Sequence, residues 1–166
     1  MKKTLSTLTA LSFSLFIYAF FRSEKTVINE VLIFILSFDI YTTIKSSIWH
    51  TLPLAENIIY SLPGGLWIFC ATALARDFFI KAGQFRIQIA LVPLTFAVGL
   101  EFCQLAGFTN GTFDLWDIAF YLSFWLLAYD GFRSDRLQQN ILAPFTLRGF
   151  MCVACFFSVF LAHVSQ

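Results

Sequence analysis

The sequence predicts an all-α fold: a polytopic integral membrane helix bundle of about five transmembrane helices plus one extracytoplasmic interfacial or re-entrant helix. Three observations carry this. Of 166 residues, 58% are hydrophobic and 13% charged, whereas soluble domains run near 45–50% apolar and about 25% charged. Mean hydropathy is +0.76. The apolar residues also gather into charge-bounded stretches of about 20 residues, the length that a hydrocarbon core of about 30 Å requires. The length suits one membrane domain covering residues 1–166.

The first span, residues 4–21, follows Lys2 and Lys3. Its end, Tyr18-Ala19-Phe20-Phe21-Arg22, offers no small-x-small cleavage site, so it reads as a retained anchor and not a secretory signal. Residues 27–41 are ambiguous: their uninterrupted apolar core, 31–36, is short and is flanked by Asn29, Glu30 and Asp39. That pattern fits an interfacial or re-entrant helix better than a crossing. Residues 62–80 form the second span, opening on Pro63 in a tolerated first-turn position, with Gly64 and Gly65 permitting close helix approach. The third, 87–106, contains Pro93 and Gly99, which are expected to weaken its hydrogen-bond ladder and kink it. Residues 113–129 form the fourth span, and 146–163 the fifth.

Lys and Arg favour the cytoplasmic side of short loops. With five spans and a cytoplasmic N-terminus, Lys2, Lys3, Arg76, Lys81, Arg86, Arg133, Arg136 and Arg148 lie inside, and Arg22, Lys25 and Lys45 outside. If 27–41 crosses with the N-terminus still inside, the ratio reverses; six spans with the N-terminus outside restore it. Either favoured arrangement places turn 107–112 outside and connector 132–145 inside. The expected localisation is a membrane that the chain crosses several times, with its N-terminus cytoplasmic. Trp49, Tyr60, Trp67 and Trp116 suit the aromatic belt at the headgroups.

Several chemistries are excluded. Eleven Lys and Arg against ten Asp and Glu leave a net charge of +1 with the basic residues scattered, so no nucleic-acid partner is implied. Cys152-Val153-Ala154-Cys155 has redox spacing but lies inside an apolar span, where buried small hydrophobes are expected. The two histidines, His50 and His163, lack metal-ligand spacing, and no Walker, dinucleotide or Gly-x-Ser-x-Gly motif occurs. No metal and no cofactor is implied.

One polar cluster stands out. Glu101 and Gln104 share a helical face, with Glu101 about 7 Å below the outer end of its span. Asp114 and Asp117 repeat that spacing at the start of the next span. A short turn makes the two helices antiparallel neighbours, so all four side chains converge at the outer mouth of a hairpin. A carboxylate at bilayer depth costs several kcal/mol unless it is paired, protonated or faces a wet cavity, so it marks a functional site by default. The bland readings stand beside this. Asp114 is a natural helix cap, and Glu101 with Gln104 can clamp two helices for about 0.6–2 kcal/mol per contact.

The segment Gly99-Leu100-Glu101-Phe102-Cys103-Gln104-Leu105, followed by Gly111-Thr112-Phe113-Asp114-Leu115-Trp116-Asp117-Ile118, resembles the signature hairpin of the VanZ-like family. These small polytopic bacterial membrane proteins are named for a glycopeptide (teicoplanin) resistance accessory. In the family, Glu-x-x-Gln ends one span, and Phe-Asp-x-x-Asp enters the next after a short turn. Glu101, Gln104, Asp114 and Asp117 match. The arginine common in the family's turn is absent, since Thr109, Asn110, Gly111 and Thr112 are neutral, and the Asn and Gly positions after the second Asp are Tyr121 and Phe124.

The resemblance implies an accessory cell-envelope membrane protein affecting glycopeptide-type antibiotic susceptibility or envelope-lipid handling, with those four residues as the ligand-binding set. Expected partners are membrane lipids, with an envelope-lipid ligand or other membrane proteins beside them. Because no nucleophile or metal set accompanies the carboxylates, a non-catalytic role is expected over a lipid-modifying enzyme using Glu101 or Asp117 as general base. A non-catalytic subunit or scaffold of a larger membrane complex is the alternative, motivated by 22 Phe residues. A transporter is disfavoured by the lack of an internal repeat.

Overall fold

The computed structural model describes residues 2–22, 27–109, 111–132, 138–141 and 146–164, and they are mostly helical. The order is α1 (Lys2–Phe21), α2 (Val27–Leu36), α3 (Phe38–Thr51), α4 (Glu56–Ala75), β1 (Phe78–Ala82), β2 (Phe85–Gln88), a 3-10 turn (Ile89–Leu91), α5 (Val92–Leu105), α6 (Leu115–Gly131), β3 (Gln139–Asn140) and α7 (Leu147–Val164). Among the described residues, α1 over Thr4–Phe21 and α4 over Glu56–Ala75 are each long and apolar enough to cross a membrane, and the α2–α3 pair makes a third if it is one broken span. The fold is therefore coarsely all-α with two to three such elements.

α4 is the axis of the bundle. A helix that is apolar all round belongs inside, and α4 buries residues on every side, among them Ile59, Leu66, Ile68, Cys70, Ala71 and Ala75. Its most extensive packing is against α6 and then α1, with α5 and α7 on its remaining sides. Gly64 and Gly65 make the α6 approach possible: a Cβ at Gly64 would stand 2.7 Å from Tyr121 Cε1, and one at Gly65 would stand 2.6 Å from Phe124 Cδ2.

Three sequence expectations need correction. Residues 62–80 are not one helix. α4 begins at Glu56 and ends at Ala75, so Pro63 lies inside the helix and not in its first turn. Beyond Asp77 the chain turns to strand, because the apolar period changes from helical to alternating across Phe78-Phe79-Ile80-Lys81 and Phe85-Arg86-Ile87-Gln88. Gly83, at φ 62, closes the hairpin.

Residues 87–106 begin as strand and 3-10 turn, so α5 proper starts at Val92 and Pro93 sits in its first turn, where it starts the helix and does not kink it. Finally, the all-α expectation omitted a small sheet. β1 pairs antiparallel with β2 and parallel with β3, in the order β2-β1-β3. This sheet closes the end of the bundle opposite the 107–112 turn over a core of Ala75, Phe78, Ile89, Ile141 and Cys152. Cys152 is thus packed as a small hydrophobe. Apart from 138–141, which carry β3, most of connector 132–145 lies outside the described residues.

The ambiguous stretch 27–41 falls on two helices bent by 119° about Ser37, a non-glycine residue at φ 67. α3 is held to the end of α1 by one face of side chains at four-residue spacing. Tyr41 Oη donates to Ala19 O at 2.7 Å, Lys45 Nζ to Arg22 O at 2.9 Å, and Trp49 Nε1 to Phe20 O at 2.7 Å. The last carbonyls of a helix have no partner within it. Here α3 supplies their donors, which fixes where α1 ends and where Arg22 is presented.

Candidate ligand-binding cleft

The α5–α6 hairpin brings the sequence cluster together, with one division of labour. Glu101 is buried, 4% exposed. Its Oε2 accepts from the Asp114 backbone N–H at 3.3 Å, and its Oε1 from Tyr121 Oη at 3.5 Å. With its amide turned to donate, Gln104 Nε2 lies 3.2 Å from Glu101 Oε2 and 3.3 Å from Thr112 O. Gly111, at φ 121, passes so close to this amide that a Cβ would stand 2.7 Å from it. The backbone there favours glycine, and a Cβ would also push the Gln104 amide aside. Asp114 turns away from this group: its Oδ1 accepts from the Trp116 N–H at 2.8 Å and caps α6.

Glu101, Gln104 and Asp117 open into a cleft of about 440 Å³. Four helices line it at helical spacing: α1 through Leu11, Ser14, Leu15, Tyr18 and Arg22; α4 through Tyr60, Pro63, Gly64 and Trp67; α5 through Phe96, Ala97, Leu100, Glu101 and Gln104; and α6 through Asp117 and Tyr121. At 1.5 Å per residue the α1 wall alone runs about 16 Å from Arg22 to Leu11. The wall is graded. Arg22, Tyr60, Glu101, Gln104 and Asp117 gather at one end, while Leu11, Trp67 and Phe96 line the other.

Sequence reasoning missed Arg22, Tyr18 and Tyr121 as parts of this site, and assigned Tyr60 and Trp67 to an aromatic belt. The spacing of Leu11, Ser14, Leu15, Tyr18 and Arg22 was the available signal, since a stripe ending in an arginine is a helix face with a purpose other than lipid contact. Arg22 is clasped between the Tyr18 and Tyr60 rings, with Cζ 4.8 and 5.1 Å from their centroids, and Nη2 donates to Tyr60 O at 3.1 Å. Its Nε is buried without a hydrogen-bond partner among the described residues. The hairpin turn carries no arginine, but the cleft has a guanidinium on its opposite wall. Tyr121 serves twice, as donor to Glu101 and as the ring that covers Gly64.

The chemistry available is recognition by charge and hydrogen bonding beside an apolar trough. Among the described residues no group of three or more His, Cys, Asp or Glu side chains is arranged to hold a metal ion. Comparison of the chain with family models, curated proteins and solved structures returned no match.

Proposed function

We propose that this chain is an accessory cell-envelope membrane protein of the VanZ-like class, which takes an amphiphilic envelope molecule into the cleft between α1 and α5. Through that ligand it alters envelope-lipid handling and susceptibility to glycopeptide-type antibiotics. In this reading α1, α4, Ile89–Leu105, α6 and α7 cross the bacterial cytoplasmic membrane with the N-terminus inside, and α2–α3 is a re-entrant pair on the outer side. The observation that carries it is the graded wall: charged groups of both signs at one end and an apolar trough running inward from them. A site for a small polar solute has no use for that trough, and a site for a purely apolar one has no use for a buried carboxylate.

Native mass spectrometry of protein gently extracted from its own membrane, beside the Glu101→Gln variant, tests this. The expected result is a discrete lipid-sized adduct on the wild type that is lost or weakened in the variant. A stoichiometric protein partner held equally by both forms, with no adduct on either, overturns it in favour of a non-catalytic subunit whose carboxylate clamps two helices.

A further inference from the structure

Resting on the reading of the cleft as an amphiphile site, we infer that its ligand carries a primary ammonium group and a phosphate in one headgroup, as a phosphoethanolamine lipid does. The α5–α6 wall has a surplus of acceptors. Glu101 and Asp117 both line the cleft, and neither forms an ion pair with a cation of this chain among the described residues. The Asp117 carboxylate, half-buried, accepts no hydrogen bond there. A carboxylate offers about four acceptor sites, and the three donors at Glu101 leave room for one more. The α1 wall has a surplus of donors. Arg22 uses Nη2 on Tyr60 O and keeps its Nε buried without a partner; its Nη1 is left to meet a phosphate, which a guanidinium grips by charge-assisted hydrogen bonds.

An ammonium toward Glu101 and Asp117 with a phosphate toward Arg22 satisfies both walls at once, and acyl chains then fall along Leu11, Leu15 and Phe96. The aromatic rings decide which kind of ammonium fits. A quaternary ammonium has no N–H donor and is held in cages of aromatic faces. Of the three tyrosines at the polar end, Tyr18 and Tyr60 already have faces covered by Arg22, and Tyr121 packs its ring on Gly64 and gives its hydroxyl to Glu101. What remains open at that end is carboxylate, which rewards N–H donors.

The test uses full-length, delipidated protein in detergent. Native mass spectrometry titrates phosphatidylethanolamine, its N-monomethyl and N,N-dimethyl derivatives and phosphatidylcholine of identical chains, with phosphatidylglycerol as an anionic control. Each methyl removes one N–H donor at constant charge. Retention is expected to fall stepwise, by about tenfold or more across the series, since one charge-assisted hydrogen bond is worth that much. In Asp117→Asn the dependence on methylation should flatten while lipid still binds.

Equal retention across the series, or retention of phosphatidylglycerol as strong as that of phosphatidylethanolamine, overturns the headgroup inference and leaves the cleft an amphiphile site. Failure to retain any of the lipids overturns both. Full displacement of bound lipid by equimolar glycerophosphoethanolamine, which has the head and no chains, overturns the lipid source.

Discussion

α4 presents two faces to two different kinds of neighbour. Toward α6 it offers Gly64 and Gly65, and the rings of Tyr121 and Phe124 press onto its backbone so closely that no Cβ fits between them. Toward the gap between α1 and α5 it offers Tyr60, Pro63, Gly64 and Trp67, and there the helices stand apart around about 440 Å³ of open space. Gly64 belongs to both. Lipid tails are as apolar as leucine, so membrane helices gain little from apolar burial and associate through van der Waals fit and polar contacts. The seam maximises fit, and the cleft gives it up. Where the seam has glycine against aromatic rings, the open side is lined by Arg22, Glu101 and Asp117, whose polar groups have no use for close apolar fit.

The comparison breaks first at the seam. Gly65→Ala inserts a methyl 2.6 Å from Phe124, and its expected cost is about 1–3 kcal/mol as overpacking, read as a lowered midpoint of unfolding in mixed micelles. An unchanged midpoint would mean the seam is loose. Tyr41→Phe loosens the α1 wall from outside by leaving the buried Ala19 carbonyl without its 2.7 Å donor. About 1–2 kcal/mol is expected, with lipid retention falling as Arg22 loses its fixed position; the two readouts are unfolding midpoint and native mass spectrometry.

Asp114→Ala removes the α6 cap at a cost of about 1 kcal/mol while leaving the lipid adduct in place, because Asp114 does not line the cleft. A lost adduct in a folded variant would put Asp114 back among the ligand-binding residues. Gly99→Ala should go the other way. Apart from its own helical turn, nothing stands within 4 Å of its Cβ position, so a gain of about 0.5–1 kcal/mol is expected from helix propensity, visible as a raised midpoint. The smallest stability effect belongs to Asp117→Asn, about 0.3 kcal/mol through its charge near the α6 N-terminus. Its expected consequence is in which headgroup is retained, a readout separate from stability.

The apolar class of the chain, the hairpin and the approach of Glu101, Gln104 and Asp117 were all legible in the sequence. Each follows from a count or a local period: apolar fraction, span length, and Glu101-x-x-Gln104 facing Asp114-x-x-Asp117 across a short turn. It also determined that Asp114 is suited to cap α6, because capping is a property of residue type and position. What it did not determine alone were the places where two patterns overlap. The apolar run 62–80 conceals a change from helical to alternating period at Phe78, and hydropathy is blind to period.

Tertiary packing was needed to show that Asp117 lines the cleft while Asp114 does not, that Tyr121 covers Gly64 and reaches Glu101, and that Arg22, some 80 positions upstream, supplies the guanidinium which the hairpin turn lacks. The physical reason is common to all three. Which side chains face a shared cavity depends on how far apart four helices settle, and that distance is set by pairwise fit between residues remote in the chain.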